Sequence, residues 1–126
     1  MRLDYIANIN EHGEDLVRLF EFKSTEAKLL SKAIQETLIE NQEELLMHEL
    51  EFIEVRNCYL TLRLHETDEG ILTKDYVNFY CFLSPDGYQR MLKLMAPFCQ
   101  KETRAHQFLY DLDIPTDFLF SPAGSW

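Results

Sequence analysis

Basic residues are scarce in this chain of 126 residues, in which 12 Lys and Arg face 22 Asp and Glu and leave a formal net charge of −10. Because cationic contacts to phosphate supply most of the affinity of proteins for nucleic acid, we expect no DNA or RNA partner. A strongly negative field accelerates association with a positively charged protein. The charge balance therefore favours a protein partner that is basic.

Glycine and proline are also few, with four of each. The glycines are isolated from one another, so the chain lacks a glycine-rich loop that could cradle a phosphate group. No Pro-rich or Gly-rich stretch divides the chain, and a hydrophobic content of 46% is typical of a globular protein. We therefore predict a single domain over residues 1–126.

Cysteine pairs at metal-binding or redox spacing are missing. Cys58, Cys81 and Cys99 are widely separated, odd in number and placed in or beside apolar stretches. They are predicted to be reduced core residues of a cytoplasmic protein. No apolar run reaches the length of a signal peptide or of a membrane span, so we predict no association with a membrane.

No motif in the chain predicts a catalytic centre. The segments that begin at His48-Glu49 and His65-Glu66 could each offer an imidazole and carboxylates to a metal ion, but neither has the His-Glu-x-x-His spacing. A nucleophile elbow of the Gly-x-Ser-x-Gly type is absent. We therefore predict no catalytic residue, no metal and no cofactor, and a binding protein rather than an enzyme.

The first part of the chain predicts a β-hairpin and then a helix. Strands at 3–9 and 16–22 flank a polar loop, and their apolar residues coincide on one face if Tyr5 opposes Phe20. Ser24 or Thr25 is expected to cap an amphipathic helix that runs to about residue 41. Four acidic residues should lie on its outer side, either as a solvated surface or as an acidic docking site: Glu36, Glu40, Glu43 and Glu44.

Residues 45–83 contain three strand-like segments joined by turn signals at 56–57 and 67–70. Short turns between such segments predict an antiparallel meander. One face of the meander is largely apolar. The other face combines aromatic and polar side chains: Phe52, Tyr59, Thr61, Arg63, His65, Lys74, Tyr76, Asn78 and Tyr80.

Ser84-Pro85-Asp86 is a strong start signal for a second helix, because serine caps, proline suits the first turn and the acid meets the positive end of the dipole. The helix is expected to run to about Leu94, with a kink or an end at Pro97. Residues 107–112 suit either a strand or a helix, and residues 117–121 should pack on the sheet or on the second helix. Trp126 is expected to be anchored, within the chain or across a dimer.

These elements predict an α+β fold in which two amphipathic helices pack on one face of an antiparallel sheet of about five strands. The mixed face of the sheet has the composition of a binding surface, since tyrosine and arginine are enriched at interfaces. Its candidate binding residues are Tyr59, Arg63, His65, Tyr76, Asn78 and Tyr80. The alternative is that the second helix or the C-terminal segment covers this face, so that its aromatic residues are ordinary core.

Three functions remain open on this sequence. The first is a non-catalytic acidic protein-interaction domain, in concrete form an inhibitor or immunity-type binder of a basic protein. The second is a small-molecule-binding domain or minor enzyme that uses Arg63 and His65 on the sheet face, with His65 as an acid or base. The third is a homodimer that pairs its sheets or buries Trp126.

Overall fold

In a computed structural model that describes residues 1–124, nine strands form two mixed sheets around two α-helices. The prediction for Trp126 lies outside the described residues. The helices are α1 (Ser24–Ile34) and α2 (Pro85–Gln100), with a π-helical turn at Gln35–Glu40 and a 3-10 turn at Met47–Glu49. The strands are β1 (Arg2–Ile6), β2 (Asp15–Phe20), β3 (Leu45–Leu46), β4 (Glu54–Val55), β5 (Tyr59–Leu64), β6 (Gly70–Thr73), β7 (Asn78–Leu83), β8 (Gln107–Phe108) and β9 (Thr116–Ser121).

The first sheet has the strand order β4-β1-β2-β9-β8. Its β1-β2 hairpin was predicted, but the predicted register is wrong: Tyr5 lies opposite Val17 rather than Phe20. The reason is a longer loop, since Ile9 donates its backbone N–H to Glu14 within the turn and so takes no part in the ladder. The observed register places Asp4 opposite Arg18, whose guanidinium donates to both carboxylate oxygens at 2.7 and 3.1 Å.

The second sheet has the order β3-β5-β7-β6, and its central pair, β5 and β7, is parallel. The predicted antiparallel meander is therefore wrong. At the first turn signal, the Asn57 side chain accepts from the N–H of Tyr5 and donates to its carbonyl, so β4 pairs with β1 instead of β5. After β5 the chain crosses to the far edge of the sheet, where β6 and β7 form the hairpin.

Helix α1 and the π-helical turn cover the length that the apolar repeat predicted. Ala27, Leu30, Ile34 and Leu38 are buried along this length. The cap prediction is wrong, because Lys23 occupies the N-cap position and Glu26 accepts from its backbone N–H. Ser24 instead donates its N–H and hydroxyl to Glu102.

Helix α2 begins where the sequence predicted, with the hydroxyl of Ser84 accepting from the N–H of Gly87 at 3.1 Å. It continues through Pro97 to Gln100 and is longer than predicted. Pro97 removes one hydrogen bond to the carbonyl of Lys93, but both residues are exposed, so solvent can satisfy that carbonyl.

One hydrophobic core joins both sheets and both helices, and Phe79, Tyr88, Phe118 and Phe120 are among its largest buried side chains. The C-terminal strand β9 contributes Phe118 and Phe120, because it lies between β2 and β8 in the first sheet. The α+β class with two helices is confirmed. The sheets, however, are mixed rather than purely antiparallel. No helix in residues 1–124 has the length and apolar character needed to cross a membrane.

Candidate functional site

The two faces of the second sheet differ in what covers them. Residues on one face of β5 and β7 are buried, including Leu60, Leu62 and Cys81. Helix α2 covers this face, and the single hydroxyl proton of Tyr88 is shared between the carbonyl oxygens of Cys81 and Arg63, which lie 2.8 and 2.7 Å from the hydroxyl oxygen. Burial raises the pKa of Tyr88, so the hydroxyl remains a donor at neutral pH.

The opposite face is partly open: Arg63 and Asn78 are exposed, Tyr80 and Phe82 are half-buried, and Thr61 is buried. Parallel pairing places Tyr59 beside Asn78 and Arg63 beside Phe82, while the β6-β7 hairpin places Leu72 beside Tyr80. Tyr59 and Leu72 keep 46% and 47% of their surface accessible. We call this surface the open face and define it by Tyr59, Arg63, Leu72, Asn78, Tyr80 and Phe82.

Arg63 lies at the centre of the open face. Its Nε donates to Oε2 of Glu44 at 2.7 Å, and its guanidinium carbon lies 4.8 Å from the ring centroid of Tyr80. The Tyr80 ring in turn stacks on Phe82, with centroids 6.3 Å apart. A cation held over an aromatic row is already ordered. Binding of a partner therefore costs less side-chain entropy at Arg63.

Two depressions border Arg63. The larger, of about 500 Å³, has Tyr80, Phe82 and Leu72 as its apolar wall and is also lined by Lys74 and Asp75. The smaller, of about 180 Å³, is lined on its far side by Glu44, His48 and Tyr59. Arg63, Asn78 and Tyr80 line both depressions, so the open face is one continuous surface with two hollows.

His48 and Glu44 belong to this site although sequence reasoning placed neither of them there. The ring of His48 meets the edge of Tyr59 at 5.0 Å between centroids, and its Nδ1 lies 3.3 Å from the carbonyl oxygen of Leu60. Both residues flank β3, whose pairing with β5 brings them to the open face. No local pattern could have found them, because a two-residue strand leaves no periodicity in the sequence.

His65 lies just beyond the end of β5 and lines neither depression. Its Nδ1 is 3.2 Å from the carbonyl oxygen of Thr67, and its ring packs edge-on against Phe82 with centroids 5.7 Å apart. Arg63 and His65 therefore do not line a common hollow. This arrangement gives no support to His65 as an acid or base acting on a ligand that Arg63 holds.

Tyr76 is the predicted site residue that lies apart from the others. It sits in the β6-β7 turn with a positive φ of 60°, so the strand alternation that would have placed it beside Asn78 is broken there. Its ring, 60% exposed, packs at 6.0 Å from that of Tyr5. Tyr5 contacts Phe79 of the covered face, so Tyr76 marks a second exposed patch at the sheet margin.

Metal-ligating and thiol groups are dispersed. Among residues 1–124, no three His, Cys, Asp or Glu side chains lie close enough together to hold a metal ion. The three cysteines are free thiols. Burial raises the pKa of Cys58 and of Cys81 to about 12, so neither is a thiolate at neutral pH.

Comparisons of the chain with models of protein families, with curated proteins and with solved structures gave no match. The structure itself defines an α+β domain whose second sheet is covered by helix on one face and carries an aromatic, arginine-centred surface on the other.

Proposed function

We propose that this chain is a non-catalytic protein-interaction domain that binds a basic protein through the open face. The observation that carries the proposal is the grouping of Tyr59, Tyr80 and Phe82 around Arg63 on a sheet face that the described chain leaves partly open. Tyrosine and arginine are the residues that most often anchor protein interfaces. Contiguous exposed apolar patches mark such surfaces.

Charge supports a basic partner. The net charge of −10 steers cationic proteins toward the domain. The exposed Glu43 adds negative charge beside the open face, whereas the charge of its neighbour Glu44 is compensated by Arg63. An inhibitor or immunity-type role is the concrete form of the proposal, because such proteins combine fast electrostatic association with a few aromatic anchors. The free thiols suit the cytoplasm as its compartment.

A second candidate function rests on the larger depression. Its volume of about 500 Å³ lies within the range of small-molecule sites. Arg63 and Lys74 could pair with an anionic group, in competition with Glu44 and Asp75, and Tyr80 and Phe82 would contact an apolar or planar part of the ligand. A thermal-shift screen of anionic aromatic compounds tests this alternative: a stabilising hit that Arg63→Ala abolishes would favour it over a protein partner.

The experiment that tests the first proposal is a pull-down with the tagged chain from lysate of the source organism, bound at low salt and eluted with stepwise salt. We expect one basic protein that elutes at moderate salt. The double variant Tyr59→Ala, Tyr80→Ala should lose it. Phe108→Ala is the matched control, since Phe108 is an exposed aromatic residue on β8 of the other sheet.

Circular dichroism of each variant verifies that the fold is intact. Recovery of the bait alone would overturn the proposal, and so would a partner that the double variant still retains. Loss of the partner from Phe108→Ala as well would show that the contact lies elsewhere.

A further inference from the structure

Four charged residues form a regular row along the first helix. Lys28, Lys32, Glu36 and Glu40 follow one another at intervals of four, and all four are exposed. Residues four apart lie on the same side of a helix, one above the other. The row therefore carries two cations toward its beginning and two anions toward its end.

We infer that two copies of this chain associate through this row, with their first helices antiparallel. A two-fold axis near residue 34 places Lys28 of one copy opposite Glu40 of the other, and Lys32 opposite Glu36. Each copy contributes the same surface, so the interface is self-complementary, as closed two-fold dimers require. Four opposite-charge pairs form with no like-charge pair.

The π-helical turn helps to keep the row straight. In a regular α-helix, each step of four residues rotates the side chain by about 40°, so a long row winds around the helix. At Gln35–Glu40 the turn is wider, and the N–H of Asn41 bonds to the carbonyl of Glu36 five residues earlier. Because this turn holds more than four residues, the step from Glu36 to Glu40 rotates in the opposite sense.

A groove between α1 and α2 borders the basic half of the row, so the acidic half of the second copy's row would face it. It has a volume of about 430 Å³, and Leu92, Ala96 and Cys99 form its half-buried floor. Lys93 adds a third cation on the α2 side, and no carboxylate of residues 1–124 lines the groove. In the described chain neither Lys28 nor Lys93 forms an ion pair, whereas Lys32 reaches Glu36 at only 3.8 Å.

A second copy fits the row better than an unrelated acidic protein does. The row carries cations at one end and anions at the other, so an antiparallel copy places opposite charges along its whole length. Exposed ion pairs are individually weak, so the dimer should form at high rather than low concentration. The net charge of −10 makes whole copies repel one another. That repulsion is screened beyond about 8 Å at physiological salt, while the contacting pairs persist.

Sedimentation velocity over a concentration series at physiological salt tests the inference. We expect reversible dimerisation of the wild type. The variant Lys28→Glu, Lys32→Glu makes the row entirely acidic, and Glu36→Lys, Glu40→Lys makes it entirely basic. Each should weaken self-association by about tenfold or more. An equimolar mixture of the two variants should form a heterodimer, because their rows are then opposite in charge.

The matched control for Lys28→Glu, Lys32→Glu is the double variant Lys101→Glu, Arg104→Glu. It makes the same change in net charge at exposed positions outside the row. It should dimerise nearly as the wild type does. The basic-row variant lowers the overall negative charge and yet should lose self-association, which separates local pairing from global repulsion. A wild type that stays monomeric at millimolar concentration would overturn the inference, as would variants whose mixture fails to associate. Open-face binding does not depend on either result.

Discussion

The Nε atom of Arg63 lies 2.7 Å from Oε2 of Glu44. This contact connects β5 to the segment that precedes β3. Both side chains are about half exposed, at 45% and 46%. Exposed pairs contribute little to stability because water competes for both charges. The pair therefore matters mainly for where it holds the guanidinium, which is over the ring of Tyr80.

We expect Arg63→Ala to change the free energy of unfolding by less than about 1 kcal/mol. A double-mutant cycle with Glu44→Ala, followed by denaturant unfolding, should give a similarly small coupling energy. The same substitution should release the bound partner at lower salt. A loss of stability well above this value would show that Arg63 is part of the structural framework rather than of a binding surface.

Gly70 begins β6 with a positive φ of 78°, and a side chain there would fit only if the ends of neighbouring side chains shifted. An added Cβ would clash with Ile114 and would lie 3.1 Å from Leu112 Cδ1 and 3.2 Å from Tyr110 Cζ. Gly70→Ala should therefore cost about 2–4 kcal/mol, combining backbone strain and overpacking. Thermal and denaturant unfolding of the purified variant provide the measurement.

Gly13→Ala is the matched control for this prediction. Gly13 has nearly the same φ of 72°, but its added Cβ would have only Asn8 Oδ1 nearby, at 3.7 Å. It should lose about 1 kcal/mol from backbone strain alone. Equal losses at the two glycines would mean that the packing of Ile114 over β6 contributes nothing.

The sequence predicted the elements whose signals are local. Ser84-Pro85 started α2 because capping involves neighbouring atoms only. The turn signal at 67–70 predicted a hairpin that does not form. In the structure, Asp68 accepts from the N–H and the hydroxyl of Ser84, each at 2.8 Å. These bonds hold the segment between β5 and β6 against the start of α2, and β7 lies between the two strands, so they form no hairpin. Nothing in the turn itself reveals a partner so far along the chain.

The difference between local signals and long-range contacts also explains which residues of the candidate site could be predicted. Tyr59, Arg63, Asn78 and Tyr80 share one face as predicted, because side chains alternate along a strand whether it is parallel or antiparallel to its neighbour. His65 and Tyr76 lie beyond strand ends, where the alternation no longer holds. The strand pairing itself required long-range contacts that periodicity does not contain.

Asp4 and Arg18 face each other across β1 and β2, and their side chains are only 11% and 15% exposed. Asp4→Ala removes the carboxylate that accepts two hydrogen bonds from Arg18 and leaves a largely buried cation with less compensation. We expect a loss of about 3 kcal/mol in the free energy of unfolding. Glu54→Ala is a suitable comparison, since its pair with Arg2 is exposed and should contribute less than about 1 kcal/mol.

Asp75 holds the turn that presents Tyr76. Its Oδ2 accepts from the Asn78 side chain at 2.9 Å, and its Oδ1 accepts from the N–H groups of Asn78 and Val77 at 2.8 and 3.0 Å. These bonds favour the charged form, those from Asn78 most, and lower the pKa of Asp75 to about 2. A carboxyl titration followed by NMR should find this value.

A depressed pKa in the folded state fixes the sign of the pH dependence. An unfolded aspartate titrates near 3.9, so Asp75 stabilises the fold above about pH 4. This contribution is lost as the pH falls toward 2, where the native carboxylate takes up its proton. Unfolding of the wild type and of Asp75→Asn should therefore be compared across that range: their difference in stability should shrink as the pH falls. A carboxyl that titrates near pH 4, or a difference that is constant with pH, would show that the turn is not held by the Asp75 carboxylate. The 3.0 Å bond from the N–H of Tyr76 to the Thr73 hydroxyl would then be the contact that supports its left-handed conformation.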